Sequence, residues 1–198
     1  MVTSALRRPR RLPVGVVLAG GASRRMGRDK ATLVLGGRTL AARAADLLHP
    51  VCEEVVVADR GRGLVAGRPS LADGPGEGPA AALLGAAAAR PGRELLVLAC
   101  DLPAVPQDLL AALARPSAAD CTVTRSRRGI EPLVARYGPA ALAALARRVA
   151  AGELSVRRLL EDPGLVVEVV EGAALERFGD PDEIFRNLNT PEDLDGLE

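Results

Sequence analysis

The run Val14-Gly-Val-Val-Leu-Ala19 is apolar without alternation and stops at the double glycine Gly20-Gly21. A strand with one face in water alternates polar and apolar residues; an unbroken apolar run reads as a parallel strand buried on both faces. Such a strand needs covering helices on either side, and this requirement limits the architecture more than any other feature of the chain. The same kind of run recurs at Glu54–Ala58, Glu94–Cys100 and Leu165–Val170. Between the runs, Thr39 caps a helix reaching about Leu48 and closed by Pro50, and Pro79 opens an Ala-rich helix ending near Arg90. Pro106–Leu113 and Pro139–Ala150 have the same helical character, while Glu131–Tyr137 reads as a strand near a sheet edge with Pro132 at its start. Strands alternating with helices predict an α/β fold: three layers, Rossmann-like, a mostly parallel sheet with helices on both faces. In such sheets ligands collect beyond the carboxyl ends of the strands, so the loops there carry the chemistry.

A length of 198 residues fits one domain, taken as 13–198 after a flexible basic tail over 1–12 that holds Arg7, Arg8, Arg10 and Arg11. A net charge of +1 and 2% aromatics argue against a nucleic-acid partner, which needs many phosphate-neutralising cations or rings for bases to stack on. Cys52, Cys100 and Cys121 are odd in number and widely spaced, which suggests neither disulfides nor a zinc site and fits a reducing cytoplasm. The apolar run after the basic tail is shorter than an export signal, and no stretch approaches a membrane span. A cytoplasmic, monomeric protein with a small-molecule partner is expected.

Charge is nonetheless uneven: residues 1–30 carry eight basic side chains against one acid, whereas residues 180–198 carry seven acids against Arg186. Of the 26 basic residues only Lys30 is a lysine. It ends the loop Leu18-Ala-Gly-Gly-Ala-Ser-Arg-Arg-Met-Gly-Arg-Asp-Lys30, where the glycines admit a close backbone approach and Arg24, Arg25 and Lys30 add charge. This outlines a phosphate site, although it has neither the dinucleotide-binding spacing nor that of a P-loop. A second loop, Leu71–Pro79, holds Asp73, a carboxylate suited to base or ribose donors. The third follows the Glu94–Cys100 run with Asp101-Leu-Pro103; an acid at the end of a buried strand must cap a helix, pair with a cation or hold a metal, and magnesium is the natural choice. Near the C-terminus, alternation puts Asn187 and Asn189 on one side of an extended segment before the helix start Thr190-Pro191. Each loop taken singly also has a plain reading as a solvated turn. Cys100 reads as a small buried residue and His49 as a helix-end surface residue.

Together, Leu18-Ala-Gly-Gly-x-Ser-x-Arg-Met-Gly-x-Asp-Lys30, Gly78-Pro79, Cys100-Asp101-x-Pro103 and Asn187-x-Asn189-Thr-Pro-Glu-Asp193 resemble the molybdenum cofactor guanylyltransferases over roughly residues 13–197. The resemblance implies transfer of GMP from GTP to the terminal phosphate of molybdopterin, with release of pyrophosphate and with Mg2+ as cofactor. By position, Leu18, Ala19, Gly20 and Gly21 would line the nucleotide, Arg25 and Lys30 would hold its phosphates, and Asp101 would bind the metal. Asp73 would take the nucleoside side, and Asn187 with Asn189 the pterin side. Other cofactor-biosynthesis proteins or recipient molybdoenzymes are further possible partners. Three departures stand out: Ala58, where relatives often place a polar nucleoside contact, with Asp59 as a possible substitute; Ala99 for the proline before Cys-Asp; and Ala80-Ala81-Ala82 for Leu-Ala-Gly. The alternatives are cytidylyl transfer to the same pterin, in which group the double glycine is typically Ala-Gly, and a non-catalytic nucleotide-binding regulator.

Overall fold

The computed structural model describes residues 11–20 and 29–188. Its centre is a seven-stranded sheet built from β1 (Val14–Leu18), β4 (Glu54–Ala58), β5 (Ser70–Leu71), β6 (Leu95–Ala99), β7 (Cys121–Ser126), β8 (Gly129–Tyr137) and β9 (Val167–Val170), in the order β5-β4-β1-β6-β8-β7-β9. A two-residue hairpin, β2 (Val34–Leu35) and β3 (Arg38–Thr39), turns at Gly36-Gly37 outside it. Only β8 runs against the others. The apolar runs face two cores: Val17, Val55, Val57, Leu96 and Leu98 pack on one side, and Val14, Val16, Val56, Leu95 and Val97 on the other. The first core is completed by α1 (Leu40–Leu48) and α3 (Gln107–Leu113), the second by α2 (Gly78–Ala89) and α4 (Pro139–Ala150). Thr39 caps α1 as expected, its hydroxyl oxygen accepting from the Ala42 N–H at 3.2 Å.

Two expectations need correction. The Glu131–Tyr137 strand is not near an edge: it is the C-terminal part of β8, which lies between β6 and β7. Pro132 survives there because the pairing slips. Val123 faces Ala135 but Thr124 faces Glu131, leaving residues 132–134 bulged away from β7. The loosened carbonyls are met by side chains, with Tyr137 Oη donating to Pro132 O at 2.6 Å and Thr124 Oγ1 to Val134 O at 3.1 Å. The Leu165–Val170 run, expected to be buried on both faces, forms edge strand β9; it pairs with β7 alone, and Glu168 is exposed. The polar β7 was not foreseen as a strand at all, since Thr122, Thr124 and Ser126 are buried without an apolar pattern.

The site depends on register. Leu18 of β1 pairs with Ala58 of β4 and with Ala99 of β6, and Ala58 pairs in turn with Leu71 of β5. Four parallel strands therefore end at one level, and the loops after them leave from one edge. The last of these loops is pressed against α2: Gly74 N–H donates to Ala81 O at 2.7 Å, and a Cβ on Gly85 would lie 2.3 Å from Ala72 O and 2.9 Å from Gly74 N.

In an unencumbered helix interior alanine would improve on glycine by about 1 kcal/mol. Because Gly85 abuts the backbone on either side of Asp73, we expect Gly85→Ala to reverse that sign and destabilise by about 1–3 kcal/mol through overpacking. Urea denaturation measures it; a neutral or stabilising result would mean that the loop is not seated on α2.

Candidate active site

Lys30 begins a short 3-10 turn, Lys30–Thr32, which Asp29 caps by accepting the Ala31 N–H at 3.1 Å. Its ammonium lies 3.7 Å from Asp101 Oδ2, at the end of β6, with the two side chains 23% and 29% exposed. Burial raises the Asp101 carboxyl above its ordinary range, and Lys30 pulls it back. A partly desolvated carboxylate held by a neighbouring cation fits the sequence expectation that Asp101 needs positive charge. The thiol beside it plays no such part: burial pushes Cys100 up to about 12, so it is not a nucleophile at neutral pH. Cys52 and Cys121 are likewise buried and unbonded.

On the β4 side the structure answers the question left by Ala58. Asp59 is fully buried and does not face outward: its Oδ2 accepts the Leu64 N–H at 2.8 Å, while Oδ1 accepts from the Ser70 hydroxyl and, at 3.3 Å, the Arg62 N–H. It organises the loop rather than replacing a polar nucleoside contact. The next residue, Arg60, has a φ of 62°, a left-handed conformation that ordinarily selects glycine. Its Nε donates to Asp73 Oδ2 at 3.0 Å, and it lies 3.6 Å from where a Gly20 Cβ would be. Arg60 thus joins Gly20 and Asp73 in one wall. Asp73 Oδ1 is buried and has no hydrogen-bond partner among the described residues, a condition that a donor on a bound nucleoside would relieve.

The other end of the chain reaches the same edge. Leu188 N–H donates to Asp101 O at 3.0 Å, and Ile184, Phe185 and Leu188 are sunk in the core, leaving Asn187 exposed beside this anchor. Leu18 and Ala19 hold the first loop's base, with Leu18 O accepting the Cys100 N–H at 3.2 Å and Ala19 N–H donating to Ala58 O at 3.0 Å. Gly21, Arg24, Arg25 and Asn189 lie outside the described residues. The structure therefore brings together Leu18–Gly20, Lys30, Asp73, Asp101 and the segment carrying Asn187. Sequence reasoning missed Arg60 and Arg62, arginines that in a chain with 25 of them carry no distinguishing signal. As a metal holder Asp101 fits magnesium better than zinc. Among the described residues no three His, Cys, Asp or Glu converge, whereas magnesium takes one or two carboxylates and completes its shell with water and phosphates.

Comparison with known proteins gives a consistent result. The family described as MobA-like NTP transferase domain matches residues 15–168. A molybdenum cofactor guanylyltransferase of Cereibacter sphaeroides is 39% identical, the match covering 91% of this chain and 92% of that protein. A probable molybdenum cofactor guanylyltransferase of Pelotomaculum thermopropionicum is 35% identical, with 91% and 89% covered. Among solved structures, the molybdopterin-guanine dinucleotide biosynthesis protein A of Archaeoglobus fulgidus superposes with a TM-score of 0.78 at 26% identity, covering 93% of this chain and 96% of its own.

Because Arg60 is 47% exposed, its ion pair with Asp73 contributes little to stability, whereas its left-handed backbone costs about 1–3 kcal/mol. We expect Arg60→Gly to leave stability unchanged or raise it, and Arg60→Ala to lower it slightly, since alanine keeps the strain and loses the pair. Thermal melts of the two variants side by side check the order, and equal losses would show that the conformation carries no strain.

Proposed function

The chain belongs to the molybdenum cofactor guanylyltransferases within the MobA-like nucleotidyltransferases, and we propose that it transfers GMP from GTP to the terminal phosphate of molybdopterin, releasing pyrophosphate. The observation that carries this reading is the pairing of Lys30 with Asp101 at 3.7 Å, a cation and a metal-suited carboxylate on adjoining loops at the same sheet edge.

In the proposed reaction an oxygen of the molybdopterin phosphate attacks the α-phosphorus of GTP. A new P–O bond forms there as the bond from the α-phosphorus to the bridging oxygen breaks, and pyrophosphate leaves with that electron pair. The attacking phosphate is already anionic, so no side-chain base is required; the protein aligns the reactants and offsets charge. Lys30, with Arg25 by resemblance, faces the phosphates where charge gathers on the leaving group. Leu18, Ala19, Gly20 and Gly21 offer backbone groups to the nucleotide without bulk. Asp73 accepts nucleoside donors through its buried, unpartnered oxygen. Asn187 and Asn189 would contact the pterin, on the side of Asp101 away from β4. Asp101 would hold Mg2+, which when bound neutralises phosphate oxygens and keeps coordination positions open for them.

Purified protein given GTP, CTP or ATP separately, with magnesium and molybdopterin, should release pyrophosphate with GTP alone. Release with CTP instead would establish the cytidylyl alternative, and none with any nucleotide would overturn catalysis. We expect Lys30→Ala to lower kcat by about 100- to 1000-fold, the scale of losing one preorganised transition-state donor, with the circular dichroism spectrum unchanged. Lys30→Arg should recover little of it, because a planar fork does not reproduce a compact ammonium. Asp101→Asn should lose activity as severely, and near-normal turnover in magnesium would remove the metal assignment.

A further inference from the structure

We propose that Arg62 is a positioning residue which sets Lys30 by gripping both ends of the glycine- and arginine-rich loop with a single guanidinium. Its Nη2 donates to Ala19 O at 2.6 Å, the last residue before Gly20, and its Nη1 to Asp29 Oδ2, immediately before Lys30. The third nitrogen, Nε, donates to Asp59 O at 2.7 Å. All three nitrogens of the fork thus have protein acceptors in three directions, an arrangement a lysine cannot copy. The base of the grip is itself fixed, since buried Asp59 also takes the Arg62 backbone N–H and is held by Leu64 and Ser70.

Asp29 transmits the position. While Oδ2 lies in the Arg62 fork, Oδ1 caps the turn at Ala31 N–H, and Asp29 O accepts the Thr32 N–H at 3.0 Å and the Thr32 hydroxyl at 2.8 Å. The carboxylate therefore cannot turn without tilting Lys30–Thr32, and with it the ammonium that faces Asp101. A displacement of about 1 Å at a catalytic charge can cost about 100-fold in rate, so a residue acting only through geometry is enough to matter.

This inference rests on the proposed role of Lys30 at the GTP phosphates, and its test separates the two. In Arg62→Ala, amide exchange at Ala31–Leu33 should quicken at least about tenfold whatever nucleotide the enzyme uses, because local protection follows the opening equilibrium of the capped turn. With GTP and molybdopterin, kcat should fall about 10- to 100-fold, Arg62→Lys should not restore it, and added guanidinium at low millimolar concentration should restore part of it. In a Lys30→Ala background the loss of Arg62 should cost less than about threefold further, the non-additivity expected of residues acting as one unit. Additive losses would make Arg62 a substrate contact, and a lowered Tm with unchanged kcat would make it merely structural; either overturns the proposal. Should Arg62→Ala not fold, Asp29→Asn keeps the shape and the cap acceptor while removing the charge that the fork holds, and it must show the same dependence on Lys30. Quickened exchange in a protein whose wild type ignores GTP would overturn the proposed substrate and leave the grip intact.

Discussion

The register of four parallel strands is the constraint on which everything else rests. Because β1, β4, β5 and β6 pair in phase at Leu18, Ala58, Leu71 and Ala99, their loops rise from one line. A one-residue slip of β6 would carry Asp101 along the strand by about 3.3 Å and turn its buried side chains to the wrong core. The apolar patterning that fixes the two cores is thus also what holds Lys30 and Asp101 within a few ångströms. Catalytic geometry here follows from burial, and burial follows from valines and leucines that never touch a ligand.

Above that line the loops are held by opposite charges. Lys30 meets Asp101, Arg60 meets Asp73, and Arg62 meets Asp29, each pair joining segments that are distant in sequence. None is buried enough to add much stability, and exposed pairs contribute about 0–1 kcal/mol. Their effect is positional: they fix where cations and acceptors stand in advance, which lowers the reorganisation needed when an anionic substrate arrives.

Much of this was legible in the sequence, for a physical reason. Buried parallel strands leave unbroken apolar runs, so β1, β4 and β6 could be read directly, and with them the loops carrying Lys30, Asp73 and Asp101. The antiparallel half was not legible. The β7 strand buries threonines and a serine whose hydroxyls bond across the sheet, and β8 tolerates Pro132 only because a bulge three residues long releases it from the ladder. Neither leaves a periodic signal. Arg60 and Arg62 were hidden by composition: in a chain where arginine is the ordinary cation, one with a special backbone angle and another with three separate acceptors look like the rest until the loop is folded.

The same composition makes the lone lysine intelligible. An arginine at position 30 would present a planar fork to Asp101, and guanidinium and carboxylate pair bidentately, occupying both oxygens with two strong charge-assisted bonds. The carboxylate would then be least available to a magnesium ion, which in the proposed chemistry needs those oxygens. An ammonium 3.7 Å from one oxygen lowers the cost of keeping Asp101 ionised in a half-buried site without forming that double clamp. Lysine supplies charge without bidentate geometry at this point, while Arg62 next to it uses that geometry to hold a loop. The division follows from what each must leave open: Arg62 fills its acceptors permanently, and Lys30 must stand beside a carboxylate that has a second cation to receive.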